Sequence, residues 1–155
     1  MFGRDEHWMR ETLAEARNAL DHNDVPIGAI AVYQGEIIGR GHNIRELDGD
    51  PTGHAEMIAL RQGGKHIGHW RLDDVTLYCT LEPCCMCAGA MVLARLPRLV
   101  YAAIDPKAGC GGSVMDVLRH PQLNHTVTVD VGLMADEASK LLRNFFDDLR
   151  NDPTN

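Results

Sequence analysis

The feature that most narrows what this chain can be is a split set of metal-capable side chains. One part is His54-Ala55-Glu56, entered through Pro51-Thr52-Gly53. The other is Pro83-Cys84-Cys85-Met86-Cys87. One imidazole and two cysteines three residues apart suit zinc, at one ion per chain. Three protein ligands, His54, Cys84 and Cys87, leave the fourth tetrahedral position open for water, as a catalytic site requires. Glu56, two residues after the histidine, is the candidate catalytic carboxylate that handles the protons of that water.

Local geometry supports the grouping. Pro83 suits the first helical position, where its missing N–H is not needed. Cys84 and Cys87 then share the first turn, with both sulfurs pointing the same way. The positive end of the helix favours their thiolates. His54-Ala55-Glu56 opens a second helix, so two helix N-termini are expected to face one metal. Cys85 falls out of phase and is expected to be a packed thiol, with ligation by it as the alternative. A lone C-x-x-C also suits a redox pair, and buried cysteines can be inert. Cys79, Cys110 and His42 would be the fourth ligand of a closed structural site, but they do not complete a paired-knuckle spacing.

The 155 residues suit one domain with a sizeable core, and the 45% hydrophobic content excludes a disordered chain. A formal charge of −7 argues against broad non-specific nucleic-acid binding and leaves room for a local basic groove. Five cysteines are an odd number. With no signal-peptide pattern and no apolar run long enough for a bilayer, a reducing, cytoplasmic setting without membrane association is expected.

The rest of the chain reads as alternating elements. Asp5 to Leu20 is an amphipathic helix with Met9, Leu13, Ala16 and Leu20 on one side. Val25–Tyr33 and Glu36–Asn43 form a hairpin about Gln34-Gly35. Gly28, Gly39 and Gly41 inside those strands predict a close approach of backbone or ligand. Ile44 to Gly53 is a polar loop. The second helix runs from His54 to about Arg61 and is stopped by Gly63-Gly64. Trp70 and Leu72 are expected to pack down. Val75–Leu81 is a β-prone run ending at the cysteine helix, which continues to Ala94. Arg98–Ile104 is a fourth strand, parallel to the third by a right-handed crossover. Asp105 to Gly112 is a glycine-rich loop at the site's mouth. Val114–Leu118 reads as a short helical turn, Thr126–Val129 as a fifth strand and Ala135–Leu149 as a final amphipathic helix. The fold class is α/β, with a five-stranded mixed sheet covered by helices. Glu82 reads as an ordinary helix-start carboxylate, with orientation of a ligand as the functional alternative.

The split pattern H-x-E…P-C-x-x-C is the signature of zinc nucleobase deaminases. The chain resembles the cytidine deaminase-like enzymes, and within them the bacterial tRNA-editing adenosine deaminases. The narrower resemblance rests on Asp24-Val25-Pro26-Ile27-Gly28-Ala29, on Gly112-Ser113-Val114-Met115-Asp116-Val117-Leu118 and on His120-Pro121-Gln122-Leu123-Asn124-His125, and covers nearly the whole chain. It implies a three-layer fold, residues 1–155 as a single zinc-dependent deaminase domain, and zinc held by His54, Cys84 and Cys87. It implies Glu56 as the proton shuttle and hydrolytic conversion of a wobble adenosine to inosine in the anticodon loop of an arginine tRNA. Asn43 is then the residue that hydrogen-bonds the base, and Ile27 and the His54 ring enclose its two faces. Asp105 lies beside the sugar, and Phe146 shapes the anticodon-loop site. A homodimer is implied.

The sequence departs from the family at Gly53, where alanine is more familiar, at the extra thiol of Cys85, and in the acidic Asp147-Asp148 near the end. RNA binding then rests on Arg45, Lys107, Arg119, Arg143 and Arg150. The alternative is a deaminase of a free base such as guanine or cytosine, which the negative charge favours. A silent zinc-bearing scaffold is a different class, and the intact Glu56 argues against it.

Overall fold

In the computed structural model, which describes residues 2–154, five strands form one mixed sheet in the order β2-β1-β3-β4-β5. They are β1 (Gly28–Tyr33), β2 (Glu36–His42), β3 (Thr76–Leu81), β4 (Arg98–Ala103) and β5 (Thr128–Val131). β1 is antiparallel to both β2 and β3, while β3, β4 and β5 run parallel. The period-two alternation of the strands sends side chains to two cores. Ala29, Ala31, Leu77, Cys79, Leu99 and Tyr101 face α3 (Ala55–Ile67) and α4 (Cys85–Leu93). Ile30, Val32, Tyr78, Val100 and Ala102 face α1 (Phe2–Arg17) and α5 (Ala135–Arg150). The result is a three-layer α/β architecture with a five-stranded mixed sheet, as expected.

The strand glycines explain how α3 is held. A Cβ on Gly39 would lie 2.3 Å from the Ala59 carbonyl oxygen, and one on Gly41 would lie 2.4 Å from that of Ala55. The close approach predicted from the sequence is therefore backbone against backbone. It presses the first turn of α3, which carries the zinc-binding end, onto β2.

Several boundaries differ from the sequence expectation. α1 gives way after Arg17 to a 3-10 turn over Asn18–His22, and Leu20 is exposed. The polar 44–53 loop contains a one-turn helix, α2 (Arg45–Asp48). Gly63-Gly64 does not stop α3. Gly63 packs against Ile38 and Ala31, and the helix ends where Gly68 adopts φ +79°. Trp70 does not pack down: it is 60% exposed, with the guanidinium groups of Arg71 and Arg95 about 6 Å from its ring, whereas Leu72 is buried as expected. Residues 114–118 form no helical turn; a bridge joins Gly111 to Asp116, and Val117 N–H donates to the Cys110 carbonyl. β5 begins two residues later than Thr126, because Val127 is buried and bonded to Leu118. Among the described residues no helix is long and apolar enough to cross a membrane.

Candidate metal centre and base cavity

The two halves of the sequence pattern meet at the ends of α3 and α4. His54 is the N-cap of α3, and Glu56 sits in its first turn. Cys84, rather than Pro83, flanks α4 as its N-cap, so the helix starts later than its proline suggests. Cys87 remains in the first turn, so the predicted spacing still works. Among the described residues, His54, Cys84 and Cys87 are the group gathered for a metal, their ligand atoms all within 4.8 Å of one another.

The distances fit zinc. His54 Nδ1 lies 3.5 Å from both Cys84 Sγ and Cys87 Sγ. Tetrahedral bonds of about 2.3 Å to sulfur and about 2.0–2.1 Å to nitrogen imply an edge of about 3.5 Å. These residues form a single zinc-binding site. The proposed fourth ligands stay away. Cys79 is buried in the core, Cys110 Sγ donates to the Ala108 carbonyl, and His42 Nδ1 faces Glu15. Cys85 is exposed and not the packed thiol expected; it is the first residue of α4, whose buried side is formed by Cys87, Ala88, Met91 and Val92.

The electrostatics suit a cation. Cys84 and Cys87 share a hydrogen bond. The hydrogen bond from Cys87 holds the Cys84 thiol down at about 3 against the opposing effect of burial, and His54 adds to the lowering. The same contact, with burial, pushes Cys87 up. His54 is raised, first by its hydrogen bond with Cys84. A divalent ion relieves this sharing by taking both sulfurs as thiolates.

Glu56 is only 4% exposed, and its Oε1 has no hydrogen-bond partner among the described residues. Burial raises its pKa above the usual carboxylate range, although its own backbone N–H, Cys87 and His54 oppose the rise. A buried carboxylate with a free oxygen beside a three-ligand metal site is arranged for a reacting partner.

A cavity of about 180 Å³ opens over this floor, lined by Ile27, Asn43, His54, Glu56, Cys84 and Asp105 among others. It is small against the roughly 300–1,000 Å³ of drug-sized sites, which suits one flat ring. Asn43 is buried. Its Oδ1 accepts from Ala55 N–H at 3.0 Å, and no described residue accepts from its Nδ2. Asp105 Oδ1 accepts from the backbone N–H groups of Lys107 and Ala108, closing its own turn. Phe146 does not line the cavity. It lies in an adjoining groove of about 630 Å³ that shares Val25, Asn43 and Arg45 with it.

Two buried carboxylates escaped the sequence reading. Asp24 accepts from the N–H groups of Glu46 and Leu47 and faces His22 at 2.7 Å, so it caps α2 from a distance. Glu82 is 2% exposed and is not a helix-start carboxylate, since its oxygens are turned to the 105–113 loop. In both cases the one available signal is a carboxylate in an otherwise apolar or turn-rich run.

Comparison with known proteins agrees with this geometry. A model of the MafB19-like deaminase family matches residues 4–150. The tRNA-specific adenosine deaminase of Bacillus subtilis (strain 168) is 46% identical over 147 residues, 95% of this chain and 91% of that protein. A structure solved in work on A-to-I editing by tRNA:A34 deaminases at the wobble position superposes with a TM-score of 0.84 at 40% identity. It covers 88% of this chain and 99% of its own. A guanine deaminase from Nitrosomonas europaea shares the fold at 26% identity and a TM-score of 0.74, covering 90% of this chain and 83% of its own. With the zinc triad, the buried glutamate and a match along almost its whole length, the chain belongs to the family of bacterial tRNA-specific adenosine deaminases, zinc-dependent hydrolytic enzymes of the cytidine deaminase-like superfamily.

Proposed function

We propose that this protein hydrolyses the wobble adenosine of a tRNA anticodon loop to inosine, with an arginine tRNA as substrate. The observation that carries the reading is the unpartnered Glu56 oxygen, buried next to the triad at the floor of a cavity sized for one ring. His54, Cys84 and Cys87 would hold zinc, which would lower the pKa of a bound water. Glu56 takes a proton from the water as its oxygen adds to C6 of adenine. It passes that proton to N1, and then carries the remaining water proton to the departing amine. Water and adenosine are consumed; inosine and ammonia are formed.

The other residues hold the base. Ile27 and the His54 ring enclose its two faces. Because Asn43 Oδ1 is occupied by Ala55, its Nδ2 is the group that donates to an acceptor on the base edge. Asp105 stands at the side of the sugar, and Phe146 borders the groove that receives the neighbouring nucleotides. A loop base is cheap to splay out into such a pocket. Homodimerisation is consistent with the exposure of Leu93, Ile104, Val114, Met115 and Leu123. A cytoplasmic setting fits a tRNA substrate.

The test is a panel of adenosine-bearing anticodon stem-loops, free adenine, guanine and cytosine. Inosine and ammonia are measured on zinc-loaded protein whose oligomeric state is fixed by sedimentation. Turnover confined to a wobble-adenosine loop is expected. Turnover of guanine or cytosine with none on any RNA would replace this reading by that of a free-base deaminase.

A further inference from the structure

Glu82 carries a set of contacts that zinc binding does not explain. Its Oε1 accepts from Asp105 N–H and Ser113 Oγ–H, and its Oε2 accepts from Gly111 N–H and Ser113 N–H. All four donors lie in the 105–113 segment. That segment supplies Asp105 and Ala108 to the wall of the base cavity, and Glu82 itself borders the same cavity. The segment is shaped around the carboxylate. A Cβ on Gly109 would sit 2.3 Å from both Cδ and Oε2 of Glu82, and one on Gly111 would sit 3.3 Å from its Cγ. The far side is tied down as well, since the Gly111 carbonyl accepts from Tyr101 Oη–H and from the Arg119 guanidinium.

We propose that Glu82 is a positioning residue that anchors the 105–113 loop as the sugar-side wall of the base cavity, and so governs capture of the nucleotide rather than the chemical step. The inference rests on the proposed RNA substrate for which nucleotide is captured, but not for the anchor itself. Nothing in the site gives Glu82 access to the reacting atoms, because both of its oxygens are saturated by loop donors. Beyond Glu82, the loop is held by the buried Cys110 and by the Tyr101 and Arg119 bonds to the Gly111 carbonyl, none of which reaches Asp105.

Glu82→Gln keeps the bulk and exchanges one acceptor for a donor. On the Oε2 side two N–H groups would then face an N–H. With the amide nitrogen on the Oε1 side instead, the serine hydroxyl can turn to accept, but Asp105 N–H is orphaned. Gly109→Ala crowds the same contact, its Cβ meeting the carboxylate and also, at 2.5 Å, the Asp105 carbonyl oxygen. Both full-length variants are measured with zinc loaded, by amide hydrogen exchange, zinc content, KM and single-turnover rate on the best stem-loop. The expected result is exchange about tenfold faster in residues 105–115, KM raised about tenfold, a saturating single-turnover rate within about threefold of wild type, and one zinc per chain. A loss confined to the saturating rate, or unchanged exchange in that segment, would overturn the proposal. Should Glu82→Gln fail to fold, Ser113→Ala, which removes the hydroxyl donor to Glu82 Oε1, carries the test. Should wild type act only on a free base, the substrate reading fails while loop exchange and KM on that base still decide the anchor.

Discussion

Glu56 has little else to do in the folded protein. Its Oε1 is buried and unpartnered, and burial disfavours its charged form. Holding that oxygen there costs about 1–3 kcal/mol, which the proposed proton-shuttle role would account for. Glu56→Gln preserves bulk but removes the ability to accept a proton and return it. We expect full zinc occupancy and a single-turnover rate lowered about a hundredfold or more. Near-normal chemistry in a fully loaded variant would take Glu56 out of its role. The three metal ligands were readable from the sequence because spacing within each half is local and the two halves together match a known signature. Asp24 and Glu82 were not. Asp24 finds its backbone partners 22 and 23 residues away, and Glu82 finds its own 23 to 31 residues away, so no window of sequence holds both sides of the bond.

The element that couples the fold to the pocket mouth is α2, a single turn too short to be stable alone. Its N–H groups at Glu46 and Leu47 are satisfied by Asp24, and its first residue, Arg45, borders both the base cavity and the groove. Burial by itself would raise the Asp24 pKa, but the Glu46 and Leu47 N–H groups and His22 outweigh it and hold the carboxyl below its usual value. A depressed folded pKa means that the stabilisation is present above the unfolded value near 3.9 and is lost as pH falls through the folded one. Asp24→Asn should therefore lower stability by about 2 kcal/mol at neutral pH. The gap to wild type should close as pH drops below about 4. Denaturant midpoints at matched m-values would measure it, and a gap independent of pH would show that the charge is not what α2 needs. The sequence offered the 44–53 segment only as a polar loop, since a helix of four residues leaves no periodicity to detect. It misjudged Gly63-Gly64 for a related reason. Glycine is a helix breaker by propensity, and here packing of Gly63 against Ile38 and Ala31 overrides it. β3 and its parallel pairing with β4 followed expectation, because a β-prone run buried on both faces is a strong strand signal.

At the scale of the whole molecule, the difficulty is a polyanionic substrate for a chain of net charge −7. Attraction must then come from a few placed cations, and the structure separates them. Arg150 is paired with Asp147, and Arg119 with Asp116 and the Gly111 carbonyl, so neither is fully available to a phosphate. Arg45 is exposed, enters no ion pair among the described residues, and stands where the base cavity meets the Phe146 groove. The acidic end that the sequence sets against RNA therefore removes one cation, Arg150, without neutralising the one at the mouth. Each phosphate neutralised on a single-stranded loop contributes about −0.7 to the slope of log K against log salt. Arg45→Gln should weaken stem-loop binding and flatten that slope by about 0.7, whereas Arg150→Gln should leave the slope nearly unchanged. The single-turnover rate on bound RNA should stay close to wild type in both, since neither guanidinium hydrogen-bonds Glu56 or a metal ligand among the described residues. Binding isotherms from about 50 to 200 mM salt span the range where such a difference is largest. An unaltered slope in Arg45→Gln would mean that the backbone of the loop approaches from another side. The Phe146 groove would then lose its place in the path of the RNA.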